Sequence, residues 1–131
     1  MTVGEVLEII GGLVSALKTY AAKLPAVVHP SVAPSGFKPT PEAVAAYEQV
    51  VYRFRNQSGN SAFRRFNDQF IDSLEAFEAG RLLSAVQPLL AVLDHLEVMQ
   101  RDKEIAATPV EEQRMADYRI SLNKILPGNQ P

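Results

Sequence analysis

A chain of 131 residues, 47% hydrophobic and 21% charged, is long enough to bury the core of one domain. Its formal net charge of −2 is neither the positive field of a general nucleic-acid binder nor the charge density of a disordered tail, so electrostatics as a whole name no partner. The absence of cysteine excludes disulfides, thiol nucleophiles, zinc ribbons and iron–sulfur clusters together, and no cofactor or metal is expected.

The first helix is predicted over residues 1–24, where Val3, Val6, Ile10, Leu13, Leu17, Tyr20 and Leu24 recur alternately three and four positions apart, as a heptad seam does. Leu7, Val14 and Ala21 widen the stripe to suit several neighbours. Gly11 and Gly12 lie off the seam, each less favourable than alanine by about 1 kcal/mol, and mark either a close backbone approach or nothing. Glu5 and Glu8 interrupt what would be the apolar core of a signal peptide, and no window reaches the roughly 18 apolar residues of a membrane span. A soluble, cytoplasmic protein is therefore expected.

Pro25 stops this helix, and residues 25–41 then hold five of the nine prolines, Pro25, Pro30, Pro34, Pro39 and Pro41, in a long connection that residues before proline keep extended. Thr40 as N-cap, Pro41 at the first position and Glu42 in the first turn start a second helix with Ala43, Val44, Tyr47, Val50, Val51 and Phe54 on its apolar face. Ser58-Gly59-Asn60 breaks the chain. A third helix is predicted from about Ser61 to Ala79, carrying Phe63, Phe66, Phe70, Leu74 and Phe77 along one side as an aromatic core stripe.

Gly80 reads as a helix C-cap, and the fourth helix that follows is apolar around most of its circumference, which predicts the central position. Pro88 either kinks it or lies in its first turns, where Ser84 and Gln87 would suit a capping box. The stretch FEAGRLLSA resembles the turn inside a tetratricopeptide repeat, over nine residues and with no second copy at the repeat period of roughly 34; it implies only an antiparallel helix pair across Gly80. Thr108 and Pro109 open a fifth helix with Glu111 and Glu112 in its first turn and Met115, Tyr118, Leu122 and Ile125 at helical spacing, before a tail at 127–131. The fold expected is all-α: one domain over residues 1–126, a bundle of four to five helices with a proline-rich crossover between helix 1 and helix 2.

Chemistry-bearing constellations are sparse. His29 precedes a proline, and His95 stands three residues after Val92, so neither belongs to a zinc or di-iron helix motif. Asp68, Asp72 and Glu75 recur on one helix face, where a solvated stripe paired with Arg64 and Arg65 is a sufficient explanation. No nucleophile elbow or phosphate loop is present, and no enzyme is expected.

The stretch YRFRNQSGNSAFRRF, residues 52–66, stands apart. Arg53 and Arg55 fall near the C-terminus of helix 2, which favours cations, whereas Arg64 and Arg65 would fall in the first turns of helix 3, which favour acids. Misplaced arginines beside free backbone N–H groups suit an anion. The tyrosine and phenylalanines among them are expected to face the core, which weakens a nucleic-acid reading. The function expected is therefore a non-enzymatic interaction or assembly protein, an adaptor or small subunit pairing with another protein or with itself as a homo-oligomer, through the helix 1 seam. Two alternatives stand beside it: an anion- or nucleic-acid-binding regulator using Arg53, Arg55, Arg64 and Arg65, and peripheral membrane association of helix 1, whose polar side carries Lys18 and Lys23.

Overall fold

The computed structural model describes residues 1–22, 38–59 and 61–125. Leu24, His29, Lys23 and the prolines at 25, 30 and 34 lie outside them, as does the tail at 127–131. Among the described residues the chain forms α1 (Val3–Ala22), α2 (Pro41–Ser58), a 3-10 turn (Ala62–Phe66), α3 (Asn67–Glu78), α4 (Leu82–Arg101) and α5 (Pro109–Ile125), with no strand. The all-helical bundle is as the periodicity predicts.

Local chemistry sets the helix starts. Thr2 and Glu5 form a reciprocal capping box, Thr2 N–H donating to Glu5 Oε1 at 2.9 Å and Glu5 N–H to Thr2 Oγ1 at 3.2 Å. Thr108 and Glu111 repeat it at α5, at 2.9 and 3.1 Å. Thr40 accepts the Ala43 N–H at 3.1 Å, with Pro41 at the first helical position.

Two helix ends share a Schellman motif. Gly80, at φ +76°, donates to Phe77 C=O at 2.9 Å while Arg81 N–H reaches Ala76 C=O at 2.8 Å. At the end of α4, Lys103 takes the same left-handed position at φ +63°, donating to Gln100 C=O at 3.1 Å while Glu104 N–H reaches Met99 C=O at 2.9 Å. The first motif turns α3 straight into α4, so α4 begins at Leu82. Ser84 is then already inside the helix, not its cap, and Pro88 lies in the interior, where it offers no N–H to the Ser84 carbonyl.

Successive helices run antiparallel. Phe54 meets Phe70 edge-on with centroids 4.6 Å apart, and Tyr47 stacks on Phe77 at 4.4 Å, setting α2 against α3. Ser73 reaches Ala85 and Phe66 reaches His95, setting α3 against α4. Gln100 bonds Glu112 and Arg119 bonds Asp94 and Glu97, setting α4 against α5. Burial opposes the Arg119 charge, but its bonds to Asp94 and Glu97 prevail and raise its pKa above the ordinary value.

The ring of helices closes between first and last. Gly4 faces Glu111 and Gly11 faces Tyr118, each pair seven residues along its own helix from the other, so α1 and α5 run side by side and parallel. A five-membered circuit of this kind leaves α1 with neighbours on several sides. Val3, Val6, Leu7, Ile9, Ile10, Leu13, Val14, Leu17 and Tyr20 are all buried. The fourth helix shares the centre with it, burying Leu82, Ala85, Val86, Leu89, Val92, Leu93, Leu96 and Met99. Each large apolar side chain so buried contributes about 1.5–3 kcal/mol against exposure.

One polar link crosses this core. Ser73 donates to Ala85 C=O at 2.6 Å, which spends its only proton, so the Tyr47 hydroxyl donates in turn to Ser73 Oγ. Burial drives the Tyr47 pKa far above its ordinary value, with the Ser73 bond opposing, and keeps the phenol neutral.

Candidate functional site

The helix 1 seam is occupied within the chain. Val6, Ile10, Leu13 and Leu17 have no solvent exposure, and Val3 and Tyr20 retain 8% each, because α2, α4 and α5 cover them. Of the two arrangements open to the seam, packing in cis is the one observed; Leu24 falls outside the described residues. The apolar side chains on which partner pairing or membrane association through α1 would depend are thus core residues here.

Among the described residues α4 is long and apolar enough to cross a membrane, with a mean hydropathy of 1.4. Eight of its apolar side chains are the core residues named above, and the broad stripe that a core helix buries reads by composition like a span.

The arginines gather at the end of the bundle where α2 finishes and α3 starts. Ser58 is buried and its hydroxyl donates to Arg55 C=O at 3.2 Å; Gly59 at φ +50° lets the chain reverse, and Ser61 N–H returns to Ser58 C=O at 2.8 Å. The segment Phe63-Arg64-Arg65-Phe66 then forms the 3-10 turn. Three residues per turn put Phe63 and Phe66 on one line, and both point inward, Phe66 onto His95 with ring centroids 5.5 Å apart. Arg64 and Arg65, on the other two thirds of the turn, face solvent.

This geometry corrects the predicted electrostatics. The α-helix begins at Asn67 and carries Asp68 in its first turn, the favourable sign, with the arginines in the tighter turn ahead of it. Arg65 holds its Nε on Ala62 C=O at 3.0 Å and forms an ion pair of 3.5 Å with Glu104 beyond the end of α4, where spacing had pointed to Asp68. Both partners of that pair are over 40% exposed, so it fixes orientation more than stability. Arg53 and Arg55 are exposed on α2, and their guanidinium groups make no hydrogen bond or ion pair among the described residues.

The aromatic residues of the stretch divide. Phe54, Phe63 and Phe66 are buried as expected, but Tyr52 is 43% exposed and stands beside Arg53, because two positions from Phe54 is nearly the opposite side of a helix. A depression of about 480 Å³ opens next to the turn, lined by Ser61, Ala62, Arg64, Arg65, Asn67 and Asp68. Ser61, Asn67 and Glu104 were not singled out by sequence.

His95 packs against Phe66, and Asp68, Asp72 and Glu75 are exposed on α3. Among the described residues no three histidine or carboxylate groups gather into a metal site. Comparison with protein-family models, with curated proteins and with solved structures finds no match for this chain.

Proposed function

We propose that this protein is a non-enzymatic binding module that docks on an acidic surface of another protein through the corner between α2 and the 3-10 turn. The observation that supports it is the exposure of Arg53, Arg55, Arg64 and Arg65 around a backbone pinned by buried Phe54, Phe63 and Phe66. Guanidinium forks on a rigid support lose little freedom when they meet carboxylates, and Tyr52 adds the other side-chain type that dominates interface energies. With its seam filled in cis, α1 offers no comparable surface. Asp68, Asp72 and Glu75 run down α3 directly from the corner, which favours a compact acidic patch over a polyanion tracking along the bundle.

A second reading, single-stranded nucleic acid, is favoured by exposed Tyr52, which offers a ring for base stacking beside arginines. Fluorescence anisotropy separates the two, using a short polyglutamate peptide and an oligothymidylate at low and high salt. Peptide binding lost in Arg53→Glu/Arg55→Glu and in Arg64→Glu/Arg65→Glu is the expected result. Oligothymidylate binding that Tyr52→Ala weakens would install the second reading instead, and binding to neither probe would overturn both. Light scattering identifies the source of the acidic surface: a discrete oligomer dissolved by Arg64→Glu/Arg65→Glu makes it a second copy of the chain.

A further inference from the structure

We infer that the acidic surface met by Arg53 and Arg55 belongs to a second copy of this chain, the two α2 helices packing antiparallel about Gln49. The inference rests on the acidic-partner reading and names the partner. Where α2 packs on α1, α3 and the 3-10 turn it buries Tyr47, Val51, Phe54 and Ser58, and its opposite face is exposed. Along that face lie Glu42, Ala45 and Ala46, and seven residues further on Gln49, Tyr52 and Arg53, the repeat by which one helix offers the same stripe to another. Tyr52, 43% exposed, is its large apolar member.

Charge decides the direction of the pair. Glu42 and Glu48 stand in the first half of α2 and Arg53 and Arg55 in the second, all exposed and none in an ion pair among the described residues. That order suits the dipole of the helix, and it makes α2 complementary to a reversed copy of itself. A parallel pair would set acid on acid and base on base. An antiparallel pair brings Arg53 and Arg55 beside the acidic half of the partner's α2 at both ends of the contact. Size follows the same rule. With Gln49 at the centre, Tyr52 falls over the partner's Ala45 and Arg53 over the partner's Ala46, so each large side chain meets a small one. A single helix pair is a small interface, so the dimer is expected to be weak, with a dissociation constant in the micromolar range.

Light scattering of the intact chain over a dilution series reads the pairing. The expected result is a dimer that dissociates on dilution and with added salt. Arg53→Glu/Arg55→Glu should raise its dissociation constant about tenfold or more, and Glu42→Arg/Glu48→Arg should do the same. Mixing the two variants should restore a dimer, because one α2 is then acidic throughout and the other basic; a folding defect is not mended by mixing. The chain has no cysteine, so Gln49→Cys reports the register. Mild oxidation is expected to capture it as a disulfide-linked dimer and to leave Glu8→Cys, on the exposed side of α1, monomeric. Equal capture of both, or no dimer in the mixture, overturns the α2 pairing. So does a dimer dissolved by Arg64→Glu/Arg65→Glu and not by Arg53→Glu/Arg55→Glu, which keeps the acidic-partner reading. A monomer at every concentration overturns the pairing while polyglutamate binding persists, and overturns both readings if the peptide fails to bind as well.

Discussion

Gly11 of α1 lies under the phenol of Tyr118 on α5: a Cβ at position 11 would stand 2.5 Å from the Tyr118 hydroxyl oxygen and 3.0 Å from Cζ. The ring is held in place by Arg114, whose Nη2 donates to the hydroxyl at 3.2 Å. At Gly12 the nearest atoms are Val50 methyls at 3.7 Å, an ordinary contact. Helix propensity favours alanine over glycine by about 1 kcal/mol at either position. Gly12→Ala is therefore expected to stabilise by about that amount in urea unfolding, and Gly11→Ala to destabilise. In a Tyr118→Ala background Gly11→Ala should become stabilising; an unchanged sign would mean that α5 does not rest on Gly11.

Lys103 occupies a left-handed position that Gly80 occupies one helix earlier, at φ +63° against +76°. A side chain there is strained by about 1–2 kcal/mol, part of which glycine returns through its larger unfolded-state entropy. Lys103→Gly is expected to raise stability by about 0.5–1 kcal/mol and Gly80→Ala to lower it by about 1 kcal/mol, both read from denaturant midpoints. Loss of stability in Lys103→Gly would show that the turn after α4 is not held in this conformation.

The Tyr47–Ser73–Ala85 link makes a third expectation. Ser73→Ala removes the acceptor of a buried phenol and the donor to a buried carbonyl, for a loss of about 1–3 kcal/mol. Tyr47→Phe in that background then removes the orphaned hydroxyl, so the double variant should be more stable than the sum of the single losses. Additive losses in the cycle would mean that the two hydroxyls do not bond.

Glu5 carries a pH dependence. Its carboxylate accepts the Thr2 backbone N–H, which holds its pKa below the ordinary 4.5, with the Thr2 side-chain bond acting in the same direction. A carboxylate with a lowered folded pKa contributes stability above its unfolded value, and loses it as pH falls through the folded one. Glu5→Gln keeps the shape without the charge. Its melting temperature is expected to lie below that of the unaltered chain at neutral pH and to converge with it below pH ~4; a gap independent of pH would take the charge out of the cap.

Helix caps were the most legible feature of the chain, since Thr40-Pro41 and Thr108-Pro109 act on N–H groups within one turn of themselves. The seam of α1 was equally plain, although Ile9, off the seam and 1% exposed, shows that α1 is covered more broadly than a two-stranded contact requires. Around Pro88 local reasoning left two placements open, in the helix interior or in its first turns behind a Ser84 cap; the interior one is observed, because the start is dictated by the Schellman turn at Gly80 and Leu82 and Leu83 carry no cap signal that could have announced it. The arginine corner was picked out by residue type. Its organisation was not, since Glu104 is 39 residues from Arg65 and nothing near either names the other.

Helical class, a count of four to five helices and the starts of α2 and α5 follow from the sequence alone, because spacing of three and four residues and capping bonds are interactions between near neighbours. Whether the α1 seam closes on its own chain was decided by tertiary packing, through the parallel fit of Gly4 and Gly11 against Glu111 and Tyr118. Packing likewise made Phe63–Phe66 a 3-10 turn, which aligns both rings toward His95, and so turned Arg64 and Arg65 to solvent. Such choices depend on surfaces brought together from distant parts of the chain, whose fit has no signature in local periodicity.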